Sequence, residues 1–340
     1  MAAREASSIS PHPMQCEGGS TCSMIDVLSA IWRRVLQLPS VAVEDNFFDL
    51  GGDSSLALKL FAEIAQVCGR ELPPVTIYQA PTITALATLL ERPAALQFPP
   101  LVLLKAGTEE PPVFLAHGLG GSAMDFFQPI KHIQSGRPIY GLQARGISGI
   151  EEPFDRIEDM AEFHLDAIKK IQPHGPYLLI GYSLGGLVSL EIAQRLSASR
   201  EKVALLAMLD AYPHIRHLPR GQRLRLGAHR ARRGLRYLSA NRVYQPPDGM
   251  SFSPAMQRVR DSAYLALTRY RPSFYPGKIK FVRAGIRSAF PDDAAAVWAK
   301  LANEFEVETV PGDHLGMITT HYESLAAVLS RYLKEAFCQE

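Results

Sequence analysis

The sequence contains little cysteine, four in 340 residues. The four are scattered, without a Cys-x-x-Cys pair or a cysteine at zinc-ligand spacing from a histidine: Cys16, Cys22, Cys68 and Cys338. This spacing argues against a disulfide framework and a cysteine-based zinc site, and we expect no metal. Few cysteines also suit a reducing, cytoplasmic compartment.

Long apolar runs and a large excess of charge are also lacking. No segment approaches the roughly 20 apolar residues that a membrane helix needs. Residues 1–22 lack the apolar core of a signal peptide, and we interpret them as a disordered leader. The formal net charge is only +2. These features argue against a membrane protein and against a nucleic-acid-binding field over the whole chain.

The length and composition suit two domains. The chain is longer than one typical domain, and its 47% hydrophobic content is enough for more than one core. Closely spaced prolines disfavour a helix within residues 93–110, which are predicted to form an extended linker. We therefore predict a small domain over residues 23–92 and a large domain over residues 111–340.

The small domain has the pattern of a helical bundle. A capping serine, Ser23, precedes apolar residues at helical spacing up to Leu36. A leucine-rich run follows the Gly51-Gly52 pair, and the segment PTITALATLLE supplies another helix after a capping threonine. Short helices joined by polar loops predict an all-α, four-helix bundle.

Ser54 stands where the second helix begins, after two glycines that permit a tight turn. In an arbitrary GGDS segment, capping by Ser54 or Asp53 is the more common explanation. The longer segment DNFFDLGGDS, however, resembles the attachment motif of carrier domains from nonribosomal peptide synthetases. That resemblance implies that a phosphopantetheinyl transferase attaches 4′-phosphopantetheine to Ser54. Ser55 departs from the family, which usually has an apolar residue there, and is a second candidate by proximity.

Strand-like and helical segments alternate in the large domain. PVFLA and PYLLIGY are apolar runs that lead into glycine-rich loops, and VALLAML and GKIKFVRA are further strand candidates. MAEFHLDAIKKI and LVSLEIAQRL have helical spacing. The alternation predicts parallel βαβ units and a doubly wound, mostly parallel sheet.

A nucleophilic serine is predicted at the sharp turn after PYLLIGY. The segment from Gly181 to Gly185 matches G-x-S-x-G, in which small residues lift the Ser183 hydroxyl above the sheet. A serine hydroxyl needs a base and an orienting acid. Asp210 follows a strand and His314 stands near the C-terminus, in the chain order of α/β-hydrolases. We predict Ser183, Asp210 and His314 as the catalytic triad.

Other acids and bases remain as alternatives. Asp313 is adjacent to His314 and so poorly placed to face its ring, while Asp292 and Asp293 lie in a loop-like segment. The other candidate bases are interpreted as loop or helix-surface residues: His117, His174 and His321. His117 also begins the glycine-rich loop HGLGG after PVFLA, residues 117–121, which is called the first loop, and it is placed to shape that loop.

The segments AHGLGG, GYSLGG, LDAYP and GDH occur in this order. With them, residues 111–340 resemble the type I thioesterase domains that release products from nonribosomal peptide and polyketide assembly lines. The resemblance implies an α/β-hydrolase fold with a helical lid, here about residues 212–270. It also implies an oxyanion hole formed by the backbone amides of Leu184 and Leu119.

The lid segment has no acid before Asp248. Over the same stretch it contains these arginines: Arg216, Arg220, Arg223, Arg225, Arg230, Arg232, Arg233, Arg236 and Arg242. A solvated helical face is one explanation. The other explanation is that these arginines attract the carrier domain or the phosphate of its arm, since residues 24–92 contain eight acids and five bases. The segment lacks interleaved aromatics, so no nucleic-acid partner is expected.

Together, the two resemblances imply a carrier-thioesterase didomain of nonribosomal peptide or hybrid polyketide biosynthesis. An acyl or peptidyl thioester on the Ser54 arm would pass to Ser183 and be released by hydrolysis or macrocyclisation. Upstream adenylation, condensation or other acyl-loading enzymes are expected partners. The alternatives are an acyltransferase acting on an external acceptor, an editing thioesterase that clears misloaded carriers, and a carrier whose hydrolase domain is only a scaffold.

Overall fold

The computed structural model describes residues 23–70, 72–91, 98–232, 253–286, 291 and 293–337. The chain divides into two compact units, and the division falls between residues 96 and 97 of the sequence. The predicted leader, residues 1–22, and the middle of the predicted lid, residues 233–252, lie outside the described residues.

The first unit is helical: α1 (Met24–Leu36), α2 (Ser54–Cys68), α3 (Thr76–Gln79) and α4 (Ile83–Glu91). α1 starts with a capping box, in which the Ser23 hydroxyl accepts a bond from the Asp26 amide and Asp26 accepts one from the Ser23 amide. The apolar face of α1 buries Trp32, whose ring meets Phe47 edge-on at 5.3 Å between centroids. The predicted four-helix unit is confirmed.

The second unit contains strands β1 (Leu101–Lys105), β2 (Val113–Ala116), β3 (Ile139–Leu142), β4 (Tyr177–Tyr182), β5 (Val203–Leu209), β6 (Tyr275–Ala284) and β7 (Ala302–Val310). Its helices are α5 (Phe127–His132), α6 (Ile157–Ile171), α7 (Leu184–Ala198), α8 (Arg220–Arg232), α9 (Pro254–Arg269), α10 (Ala294–Trp298), α11 (Gly316–Thr319) and α12 (Tyr322–Glu335). Within the described residues, the strands form one sheet in the order β1-β3-β2-β4-β5-β6-β7.

The sheet is parallel except at one edge, where β1 runs antiparallel to β3. This confirms the mostly parallel sheet. β1 falls within the segment predicted as a linker, so the structure differs there. The reason is local: residues 101–105, LVLLK, form a proline-free apolar run between two proline pairs, and such a run pairs readily as an edge strand.

Both faces of the sheet are covered. Alternate strand residues point to opposite faces, so Phe114 of β2 packs in one core and Val113 in the other. α6 and α7 belong to the first core, where Ile168 and Leu187 are fully buried. α5 and α12 belong to the second core, which includes Leu329. This is the layering expected of a doubly wound fold.

The connections reverse direction between β2 and β4, which are neighbours in the sheet. The chain leaves β2 towards β3 on one side, and it leaves β4 towards β5 on the other. Such a switch point opens a crevice at the carboxyl ends of the strands. In the pairing of β2 with β4, Ala116 lies opposite Gly181. The first loop therefore emerges beside residues 181–185, the predicted nucleophile turn.

The connection between β5 and β6 contains α8 and α9, which lie within the segment predicted as a lid. Its arginines at positions 216, 220, 223 and 225 are exposed. Those at positions 230 and 232 belong to α8, and those at 233, 236 and 242 lie outside the described residues. In the described part of the chain, we find no helix with the length and apolar character needed to cross a bilayer.

Candidate active site

Ser183 occupies a strained turn between β4 and α7, with φ 56° and ψ −119°. The surrounding glycines are required by close backbone approach. A Cβ on Gly181 would lie 2.2 Å from the Gly185 carbonyl oxygen, and a Cβ on Gly185 would lie 2.3 Å from that of Ala116. The G-x-S-x-G sequence is therefore what allows this turn to pack against β2.

His314 links the serine to a carboxylate. Its Nδ1 lies 2.8 Å from Asp210 Oδ2, and its Nε2 lies 3.1 Å from Ser183 Oγ. Because the ionised carboxylate only accepts, Nδ1 is the protonated nitrogen, and the Ser183 hydroxyl donates to Nε2. The arrangement can remove the hydroxyl proton and stabilise the resulting imidazolium.

Asp210 follows β5 directly and is held by hydrogen bonds to β6. It is buried, and its backbone has a positive φ of 45°. Its amide donates to the Val282 carbonyl at 2.7 Å, and its Oδ1 accepts from the Ala284 amide at 3.3 Å. One carboxylate oxygen is thereby held by β6 while the other faces His314.

The rival acids have other partners. Asp313 accepts a hydrogen bond from the Gly316 amide at 2.7 Å, at the start of α11. Asp293 caps α10 by accepting from the Ala296 amide at 2.9 Å. Asp292 lies outside the described residues. Of the described candidates, the structure brings Asp210 to His314.

The rival histidines are also engaged elsewhere. His117 is buried and its Nδ1 donates to the Gly118 carbonyl at 2.7 Å. His174 is exposed, with its Nδ1 3.1 Å from Glu201. His321 packs beside Gly312, where an added Cβ would lie 2.5 Å from its ring. His314 is the histidine that the described structure places against Ser183.

The two predicted oxyanion donors lie in neighbouring segments. Leu184 is the first residue of α7, where amides have no acceptor within the helix. Leu119 lies in the first loop, directly after β2. The preceding amide, Gly118, is occupied by Asp125 Oδ2 at 3.1 Å. The Leu119 amide is the next one along the first loop after the occupied Gly118 amide. The oxyanion role of Leu184 and Leu119 remains a prediction.

Sequence reasoning missed Asp125, which lies under the first loop. Burial raises the pKa of its carboxyl to about 6, while the hydrogen bond from Gly118 acts in the opposite direction. No sequence motif signals this residue, because its contact with Gly118 depends on how the loop folds back. A second missed residue is Tyr182, which directly precedes the predicted nucleophile, Ser183, and contacts His314.

The carrier motif also has a defined geometry. α2 begins at Ser54, but the helix is capped by Asp53, which accepts a hydrogen bond from a helix amide at 2.8 Å. The Ser55 hydroxyl donates to Asp53 Oδ1 at 2.9 Å, so it is engaged locally. Gly52 packs tightly against Phe47, because an added Cβ would lie 2.4 Å from that ring.

These residues fit a phosphopantetheine group. Ser54 offers a hydroxyl for a phosphodiester, and it stands at the start of a 15-residue helix. The amides and the positive end of the helix dipole favour an anionic phosphodiester there. The capping function is already performed by Asp53, so it does not require Ser54.

The strained serine turn, the hydrogen-bonded histidine and acid, and the doubly wound sheet define a serine hydrolase of the α/β-hydrolase class. Residues 111–334, more than half of the chain, match the family described as "Thioesterase domain". The chain therefore belongs to the thioesterase domain family. Residues 26–90 match the "Phosphopantetheine attachment site" family, so a carrier domain precedes the thioesterase domain.

Curated relatives include nonribosomal peptide synthetases. The chain is 40% identical over 190 residues to a dimodular nonribosomal peptide synthase of Bacillus subtilis (strain 168), covering 56% of this chain and 8% of that protein. It is 32% identical over 266 residues to malpibaldin synthetase of Mortierella alpina, covering 76% of this chain and 5% of that protein. The chain thus spans a small part of the length of these relatives.

Solved structures share the fold. A four-domain nonribosomal peptide synthetase, holo-AB3403, matches 97% of this chain and 27% of its own, with a TM-score of 0.58 and 22% identity. The type II thioesterase BorB from the borrelidin biosynthetic cluster matches 70% of this chain and 99% of its own, with a TM-score of 0.56 and 17% identity. The chain therefore combines a carrier domain with a thioesterase domain.

Proposed function

We propose that the chain holds an acyl or peptidyl group on its own carrier domain, transfers it to Ser183 and releases it. The observation that carries this proposal is the hydrogen-bonded line from Ser183 through His314 to Asp210, on the same chain as an attachment domain. The line supplies the nucleophile, base and orienting acid that acyl transfer needs.

The first chemical step is attack of Ser183 Oγ on the thioester carbonyl. His314 Nε2 takes the hydroxyl proton as the new C–O bond forms, and Asp210 stabilises the imidazolium. The carbon–sulfur bond then breaks, and His314 returns the proton to the departing thiolate. The product of this step is an ester on Ser183.

Backbone amides stabilise the negative oxygen that forms during this step. We assign this role to the amides of Leu184 and Leu119, because the first loop and the first turn of α7 emerge from neighbouring strands. Each such donor contributes about 10² to 10³ in rate. Gly118 is a poorer candidate because Asp125 already accepts its hydrogen.

We assign the attachment site to Ser54. When attached there, phosphopantetheine supplies a flexible thiol that carries the acyl group as a thioester. A phosphopantetheinyl transferase and acyl-loading partners, such as upstream adenylation and condensation modules, are the partners that this role requires. A tether of this type gives an effective concentration in about the millimolar range, so weak docking suffices.

The second step decides the product. A water molecule, deprotonated by His314 Nε2, would release a free acid from Ser183. A hydroxyl or amine within the acyl chain would instead release a lactone or lactam. An external amine or alcohol would make the protein an acyltransferase, and release of incorrect acyl groups would make it an editing thioesterase. Analysis of the released species separates these outcomes.

The test uses the whole chain, a phosphopantetheinyl transferase and a simple acyl-CoA, with intact mass followed over time. We expect wild type to gain the acylated arm and then lose the acyl group. Ser183→Ala should gain it and retain it, whereas Ser54→Ala should gain no mass. Ser55→Ala is the matched control and should load like wild type.

Two results would contradict the proposal. Loading of Ser54→Ala would place the attachment elsewhere. Equal persistence of the acyl group in wild type and Ser183→Ala would show that this chain does not release its own cargo.

A further inference from the structure

A small cavity lies beside the first loop, at the carboxyl ends of β2 and β3. Its volume is about 20 Å³, which is room for a group the size of one water molecule. Gly185 of the nucleophile turn forms part of its wall, and Val259 and Ala263 of α9 cover it. The cavity therefore touches the nucleophile turn and the lid at once.

The lining is mainly apolar, with two buried imidazoles among the side chains. His117 and His164 are 5% and 3% exposed, and their rings meet edge-on with centroids 6.2 Å apart. His117 Nδ1 donates to the Gly118 carbonyl at 2.7 Å. In the described structure, the buried Nδ1 of His164 has no hydrogen-bond partner.

An unpaired polar atom at this depth requires an explanation, since buried polar groups are nearly always hydrogen-bonded. Burial, and secondarily the neighbouring His117, lowers the pKa of His164 to about 3. The ring is therefore neutral near pH 7 and has one donor and one acceptor nitrogen. It does not offer a positive charge to an anion.

Arg145 also lines the cavity, but its charge is already paired. Its Nε donates to Glu151 at 3.1 Å, and its guanidinium lies 4.9 Å from the centre of the Phe154 ring. No group of three or more His, Cys, Asp or Glu side chains suited to a metal occurs among the described residues. A small neutral group with hydrogen-bonding capacity is what remains.

We infer that this cavity is a subsite for a hydroxyl substituent on the acyl chain processed at Ser183, with His164 as its hydrogen-bond partner. This inference rests on the proposed function. A hydroxyl fits because it both donates and accepts, and so satisfies Nδ1 of His164 in either tautomer. Its size also matches the cavity.

The subsite makes His164 a specificity-determining residue. A hydroxylated acyl group pairs with the orphaned nitrogen, whereas its deoxy analogue leaves that nitrogen buried and unpaired. Sites built to hydrogen-bond a substrate hydroxyl reject the analogue that lacks it. We expect a preference of about 10-fold or more in kcat/KM.

The test compares soluble pantetheine thioesters of butyrate and of 2-, 3- and 4-hydroxybutyrate with the whole protein. We expect one hydroxylated isomer to exceed butyrate by about 10-fold or more in kcat/KM. His164→Phe should bring that ratio close to one while butyrate is still turned over. His164→Asn keeps a donor and an acceptor and should retain part of the preference. Asp166→Asn, an exposed change on the same helix, is the matched control and should keep it in full.

A second readout needs no turnover. In ¹⁵N-histidine-labelled Ser183→Ala protein, the preferred hydroxy thioester should shift the Nδ1 resonance of His164, and butyryl pantetheine should not. Equal kcat/KM for all four thioesters, or a preference that survives in His164→Phe, would overturn the subsite, as would an unchanged His164 resonance. Failure of the proposed function would give a different result from failure of the subsite. In that case, butyryl pantetheine would be turned over equally by wild type and by Ser183→Ala.

Discussion

Tyr182 and His314 are joined in two ways across the active site. The Tyr182 hydroxyl donates a hydrogen bond to the backbone carbonyl of His314 at 2.8 Å. The two rings also stack, with centroids 4.8 Å apart and planes inclined by 23°. Burial, followed by the carboxylates of Asp125, Asp210 and Asp313, raises the pKa of Tyr182 well above its usual value, so its hydroxyl remains a donor. The residue before the predicted nucleophile therefore contacts the predicted base through both its hydroxyl and its ring.

Tyr182→Phe removes the hydrogen bond and keeps the ring stack. We expect kcat to fall about 3- to 10-fold with little change in KM, because one neutral hydrogen bond contributes about 0.5–1.5 kcal/mol and Tyr182 does not act on the substrate directly. Steady-state kinetics with a soluble thioester measures both constants. Tyr182→Leu removes the stack as well and should lower kcat further. A wild-type kcat in Tyr182→Phe would show that the carbonyl bond does not position His314.

The sequence allowed much of this fold and site to be predicted where the signal is local. Ser183 and Ser54 stand in motifs whose glycines are required by turns or close approaches, and both helical caps and buried strands follow short-range patterns. The order of Ser183, Asp210 and His314 came from the chain order of a fold class, and the structure brings the three together.

What was not predicted depends on contacts between distant segments. The prolines around residues 101–105 predict a linker, whereas the structure forms strand β1 there by pairing it with β3. Tyr182 and His314 are 132 positions apart, and the His117–His164 pair joins the first loop to α6. Such contacts are set by packing, and no spacing rule in a single sequence reports them.

Asp210→Asn tests the assignment of the orienting acid. The amide preserves the shape but favours the wrong tautomer of His314, and it cannot stabilise an imidazolium. We expect kcat to fall by about 10⁴, as the corresponding change does in serine proteases. Asp313→Asn is the matched control, because Asp313 bonds the Gly316 amide and should leave kcat within a few-fold of wild type. The reverse ranking of the two variants would refute the triad as assigned.

Gly185→Ala tests the close packing of the nucleophile turn. The new Cβ would lie 2.3 and 2.4 Å from the carbonyl oxygens of Ala116 and His117, so backbone must move. We expect the free energy of unfolding of the thioesterase unit to fall by about 1–3 kcal/mol, together with loss of activity. Gly227→Ala on α8 is the control, because its Cβ meets nothing within 4 Å and should raise stability by up to about 1 kcal/mol. Denaturant titration compares them, and equal stability of both variants would contradict the packing argument.

Charge reversal at the exposed arginines of α8 tests whether their positive charge attracts the carrier domain. We expect the triple change Arg220→Glu, Arg223→Glu and Arg225→Glu to slow deacylation of the tethered carrier about 10-fold and to weaken its salt dependence. Turnover of a soluble pantetheine thioester should not change. The charge-matched control reverses three exposed cations elsewhere in the second unit: Lys170, Arg200 and Lys300. Single-turnover assays at low and high ionic strength make the comparison, and identical deacylation in wild type and the α8 variant would leave the arginines a solvated helix face.

The raised pKa of the Asp125 carboxyl predicts an unusual dependence of the free energy of unfolding on pH. Burial raises the pKa of its carboxyl from 3.8 to about 6 in the folded protein. Between these values, the folded state binds more protons than the unfolded state, so this group makes the free energy of unfolding fall as pH rises from about 4 to about 6. Above pH 6 the cost of burying the ionised carboxylate is fully present.

Asp125→Asn keeps an oxygen that accepts from the Gly118 amide but removes the charge. We therefore expect the variant to be more stable than wild type above pH 6, by at most about 3 kcal/mol, and the difference to shrink towards zero near pH 4. His164, whose lowered pKa has the opposite effect on stability in the same pH range, is present in both proteins and cancels in the difference. Urea titrations across this range measure the difference, and Asp166→Asn on the exposed face of α6 should follow wild type throughout. A difference between Asp125→Asn and wild type that does not vary with pH would mean that the carboxyl is not titrating beneath the first loop.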